Sequence, residues 1–129
     1  MMNLGQFTRF PAAFKDREKL VDKVYFISIN NTKTDYGFEI ISKTNKYNQT
    51  IEIHDEKINL RSPIKIMCDC QSFKFEFSHA VFKNGSLINP MQFIRSIVQH
   101  PKEKNQHDLA SGCKHIIKLA REILKIKIK

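Results

Sequence analysis

All three cysteines of this chain fall in short pairs. Cys68 and Cys70 form a C-x-C, and Cys113 opens a C-x-H with His115. Three thiolates and one imidazole are an accepted tetrahedral ligand set for structural zinc. A site filled in this way keeps no open position for water or substrate, so it implies a staple with one zinc per chain. Taken singly, a cysteine reads as a small buried hydrophobe, and a histidine as a surface or satisfied core residue. Those readings weaken together, because the two pairs consume every cysteine. A disulfide is the rival, and an odd count would leave one thiol free. Residues 1–14 lack the continuous apolar run of a secretory leader. The chain therefore reads as intracellular, where thiols stay reduced and available to a metal. His79 is a substitute ligand for His115, but it has no cysteine two residues away.

Two elements must position these ligands. Ile64–Cys70 (IKIMCDC) alternates like a strand, and residues i and i+2 of a strand share a face, so Cys68 and Cys70 grip one ion. Cys113 and His115 fall where a loop becomes a helix, and Gly112 frees the backbone for a close approach. The ion would pin a strand end to a helix start across residues 71–112. The entropy of closing such a loop rises slowly with its length. Binding a structural zinc, on the order of 10 kcal/mol, exceeds it. Lys114 lies between two ligands and would soften the charge of three thiolates.

The rest of the chain divides near Pro63. Before it lie Lys23–Asn30 (KVYFISIN), which ends at the turn pair Asn30-Asn31, then Tyr36–Thr44 and Gln49–His54. Short β-branched and aromatic runs bounded by Asn, Asp, Lys and Pro are the strand signature. With Ile64–Cys70 they predict an antiparallel meander with one buried face. The first fourteen residues read as an arm carrying Phe7, Phe10 and Phe14, packed on the domain or on a neighbour. A weak helix signal follows over 11–22. Past Cys70, Phe73, Phe75 and Phe77 alternate like a strand, whereas Phe73, Phe77, Ala80 and Val81 share a helical face. The helix over 71–83 is favoured, stopped at Asn84-Gly85. Asn89-Pro90 starts a short helix through Val98, and 101–112 is a polar loop. The last segment is the clearest helix, with Ile116, Leu119, Ala120, Ile123 and Leu124 in one stripe. The fold expected is α+β: a small antiparallel meander in the N-terminal half, then a zinc-pinned β/α half ending in a basic amphipathic helix. Its parts are the arm 1–14, the β-rich part 15–62 and the zinc-binding part 63–129, together one compact domain.

With 129 residues, a single core is feasible. No apolar run reaches the length of a membrane span. The net charge of +9 is uneven. Residues 1–64 hold ten Lys/Arg against eight Asp/Glu, and residues 65–129 hold twelve against five. The basic half is thus also the metal-binding half, which points to a polyanion or an acidic protein surface. Solubility alone is the plainer explanation. The candidate contact residues are Arg95, Lys114, Lys118, Arg121, Lys125, Lys127 and Lys129.

C-D-C followed far downstream by G-C-K-H-I-I-K-L-A resembles the SWIM zinc finger, whose pattern is C-x-C, a variable spacer, then C-x-H. The likeness covers 64–124, about half of the chain. The spacer departs from the commoner short form, with forty-two residues between Cys70 and Cys113. The resemblance implies a ββα zinc core that binds DNA or protein and performs no chemistry. The long spacer with Phe73-Lys74-Phe75, Asn89-Pro90 and Gly112–His115 also resembles small proteins of tailed bacteriophages. That likeness implies a virion or DNA-packaging setting.

Catalysis is disfavoured. The zinc-deaminase pattern, the phosphate-binding glycine loop and the nucleophile elbow are all missing. His54-Asp55 and His107-Asp108 are merely adjacent. The leading expectation is a docking or assembly subunit of a larger protein complex, such as a phage neck, portal or tail. The alternative is a non-specific DNA- or RNA-binding zinc module, whose lysines position phosphates without reading sequence. Neither reading involves a membrane or a small-molecule substrate.

Overall fold

The computed structural model describes residues 2–8, 23–70, 81, 85–88 and 113–127. Four strands, β1 (Ser28–Lys33), β2 (Phe38–Lys43), β3 (Asn48–Ile53) and β4 (Ile64–Cys68), follow a short helix α1 (Leu4–Thr8) and precede the helix α2 (Lys114–Lys127). The strands form one antiparallel sheet in the order β1-β2-β3-β4, so the expected α+β meander is what the chain builds.

Parity explains the sheet. Cross-strand partners share a face, and the register pairs Ile40 with Ile51, Ile51 with Ile66, and Ile53 with Ile64. All five isoleucines are buried. Each contributes about 1.5–3 kcal/mol on leaving water. Glu39, Glu52 and Lys65 pair across the other face. Helix α2 packs on β3 and β4 through Ile116, Ile117, Leu119, Ala120 and Ile123, all buried. This is the predicted stripe, with Ile117 added and Leu124 at its margin.

The first strand is offset from its expected span. Asn30-Asn31 is not a turn but the middle of β1, facing Ile41 and Ile40. The reversal comes later, where Thr34 N donates to Gly37 O at 2.9 Å. Gly37 takes φ +145, and a Cβ there would overlap Ile53 O. Only glycine fits at that crossing. Every residue of β1 is exposed, because α2 packs on β3 and β4 and β1 lies at the far edge of the sheet.

The other edge is covered. Ile66 N donates to Ser86 O at 2.7 Å, and Ile88 N donates to Ile66 O at 3.2 Å. Gly85 takes φ +78, and Ser86 N donates to Val81 O at 3.0 Å. That six-to-one closure around a left-handed glycine is how a Schellman motif ends a helix, in keeping with the expected stop at Asn84-Gly85. The remainder of the helix expected over 71–83 lies outside the described residues. So do the helix signal over 11–22, the helix from Asn89-Pro90 and the loop 101–112.

The described part of the N-terminal arm, residues 2–8, belongs to the core. Leu4 N donates to Ser62 O and Gly5 N to Leu60 O, at 2.9 and 2.8 Å, and Ile64 N donates to Met2 O at 2.9 Å. Asn3 and Gln6 form a reciprocal capping box: Gln6 N donates to Asn3 Oδ1 at 2.8 Å and Asn3 N to Gln6 Oε1 at 3.1 Å. The box seats α1 so that Leu4 and Phe7 are buried with α2.

Candidate metal centre

The ligand atoms of Cys68, Cys70, Cys113 and His115 all lie within 4.8 Å of one another. Ligands at normal zinc distances sit about 3.8 Å apart around a tetrahedron, so closing on an ion needs shifts of an ångström or less. None of the three cysteines is in a disulfide. Cys113 is fully buried, and the other three ligands are buried too. His115 Nδ1 lies 4.0 Å from Cys68 Sγ, which turns that ring nitrogen toward the thiols.

Each ligand is placed by local structure. Cys68 ends β4 on the core face, opposite Gln49. Cys70 lies beyond the strand rather than on it, correcting the expectation that the strand runs through it. The ladder ends because Asp69 turns outward, its carboxylate accepting from Asn48 N at 2.9 Å and Asn48 Nδ2 at 3.3 Å. The in-out-in alternation survives the strand end, so Cys70 remains buried. Cys113 immediately precedes α2, with Ile117 N donating to its carbonyl at 3.1 Å. The cluster thus sits at the positive end of a 14-residue helix, which favours thiolates. Tyr47, fixed by the Thr44–Tyr47 turn, packs its ring 5.3 Å from that of His115 at 59°.

Two further observations fit the donor set to a cation. Burial of Cys113, reinforced by the Cys68 and Cys70 thiols, holds its pKa well above the ordinary value. For Cys68, the Cys113 hydrogen bond pulls downward, but the Cys70 thiol and burial prevail and push it up to about 12. Three crowded thiols cannot ionise together without a cation among them. The second observation is Gln49. Its side-chain oxygen accepts from Ser42 Oγ at 2.8 Å, while its buried Nε2 has no partner among the described residues. A buried orphan donor costs about 1–3 kcal/mol. The register sets Cys68 opposite it, and a thiolate held there by a metal would supply an acceptor, a support that metal sites commonly have.

No family model, curated protein or solved structure matches this chain. The resemblance to the SWIM zinc finger therefore rests on four ligands and their convergence. The structure brings all four together.

The other site residues differ in their surroundings among the described residues. Lys118 and Lys125 both reach Glu122 Oε1, each at 3.5 Å. Arg121 is half-buried and has an interaction of its own. Lys114 lines a cavity beside the centre. Lys127 closes α2, but its side chain, with Lys129 and Arg95, lies outside the described residues. Phe7 is only 2% exposed and belongs to this chain's own core, so the domain itself takes up that part of the arm. Phe10 and Phe14 lie outside the described residues. Sequence reasoning missed Gln49, although a glutamine in phase with Ile51 and Ile53 was the available signal. It also missed Tyr47, for which a turn tyrosine offers none.

Proposed function

We propose that this chain is a non-catalytic module built around one structural zinc ion, serving as a docking subunit of a larger assembly. The convergence of four buried ligands carries the reading. A ligand set made wholly of protein, shut away from solvent, suits a staple rather than a Lewis acid. The ion would be held by Cys68, Cys70, Cys113 and His115, and it would fasten the end of β4 to the start of α2.

The docking part is supported by β1. Among the described residues its outer edge is open, and Tyr25, Ile27, Ile29 and Ile41 stand exposed on or beside it. An open strand flanked by apolar side chains is what an extended segment of a neighbouring subunit pairs with. The tailed-phage likeness makes a virion the proposed setting. Mass spectrometry of purified particles tests this: the chain should be present at constant copy number, and its absence from particles would refute the virion assignment.

A further inference from the structure

Beside the metal centre lies a cavity of about 460 Å³, formed where the segment before β1, the β2–β3 turn and the start of α2 meet. Lys23, Lys46 and Lys114 line it, together with Tyr25, Tyr47 and His115. None of its described lining residues is acidic. Three lysines lining one concavity give it a positive potential that favours an anion. None of the three has an ion pair among the described residues, unlike Lys118 and Lys125. Tyr25 stands at this site 81% exposed, a large apolar ring left in water where no described residue covers it.

We propose that this cavity is a binding site for single-stranded nucleic acid, with phosphates on Lys23, Lys46 and Lys114 and an unpaired base stacked on Tyr25. Basic grooves with aromatic platforms bind single strands in this way. The exposed ring decides between strand forms, since a base within a duplex has no free face to offer it. The volume falls in the range of small-ligand pockets, enough for one nucleotide unit and too small for a helix. Most of this surface lies outside the metal-binding half, on residues 23–25 and 44–47. The inference rests on the metal reading in one respect: the ion fixes His115 and therefore the backbone that carries Lys114.

The test is fluorescence anisotropy with a labelled twelve-residue oligothymidine and a duplex of equal length, using full-length zinc-loaded protein across a salt series. Three phosphate contacts on a single strand give a log–log slope of about −2. Lys23→Glu with Lys46→Glu should flatten that slope to about −0.7 and weaken binding at least tenfold. Tyr25→Ala should weaken it on the order of tenfold with the slope unchanged. Lys57→Glu, beyond the opposite end of β3, is the control and should leave affinity within twofold. Zinc content and melting temperature are measured on every variant. A variant that keeps its zinc and its fold yet binds oligothymidine as well as the parent overturns the site. Equal or tighter binding of the duplex overturns the strand preference. A parent protein without zinc that still shows the expected variant pattern would refute the metal reading and leave this one standing.

Discussion

At the scale of single residues, chemistry is concentrated in four ligands and one amide. Gln49 is where support of a bound metal can be separated from simple core packing. Replacing Ser42 and Gln49 together, as Ser42→Ala with Gln49→Met, removes both ends of their hydrogen bond along with the orphan donor. Paired removal of this kind is nearly neutral for stability. Zinc affinity should nevertheless fall about tenfold or more, because the Cys68 thiolate loses its donor. Competition with a chromophoric chelator measures it, and an unchanged affinity would show that Gln49 supports nothing. The thiols also set a pH signature. In chelated protein the pKa of Cys68 rises from 9.0 to about 12, and that of Cys113 rises as well. A group whose folded pKa is raised stabilises fully below its unfolded value and loses that contribution as pH climbs. Chelated protein should thus lose urea stability from about pH 9 upward. Zinc-loaded protein should reverse the trend, holding in alkali and failing in acid as protons displace the ion. Identical pH profiles with and without zinc would argue against thiolate ligation.

At the scale of elements, the N-terminal segment carries the clearest energetic claim. Phe7 is buried against α2 and the sheet by a helix of five residues, held in place by the Asn3–Gln6 box. Phe7→Ala should cost about 3–5 kcal/mol, a large share of the stability of a domain this size. Denaturant unfolding checks this, and a loss below 1 kcal/mol would mean that the arm is not core. The spacing of Asn3 and Gln6 suits a cap, but a helix of five residues has too little periodicity behind that cap to announce itself in a sequence. The strands show the same division. β3 and β4 declare themselves by isoleucines in alternation, since one face is buried and the period of two is enforced. β1 is exposed on both faces, so nothing constrains its pattern. The apolar run before it, Val24 to Ile27, looks more like a strand than the strand does. The position of its turn is set by Gly37, whose crossing with Ile53 O no pattern in the flanking residues reveals.

For the molecule as a whole, the sheet and α2 form two layers, with the four candidate ligands at one corner where they meet. The ligand set was legible because metal geometry demands particular residue types at short spacing, and Cys68, Cys70, Cys113 and His115 meet that demand in any fold that closes the loop. The basic surface was less legible. Lys118 and Lys125 look free along the helix until Glu122 is seen between them. Lys23, Lys46 and Lys114 are far apart in sequence and meet only in three dimensions. Charge asymmetry pointed to the C-terminal half, while the cavity draws two of its three lysines from the N-terminal half. The most direct test of the central claim is elemental analysis of the purified full-length chain beside Cys113→Ser, with thermal melting of both. The parent should carry one zinc per chain, and the variant should lose the ion and melt far lower, since loss of a structural metal is among the few large single-site effects. A parent chain that is fully folded without metal, with a melting temperature the substitution leaves unchanged, would contradict it.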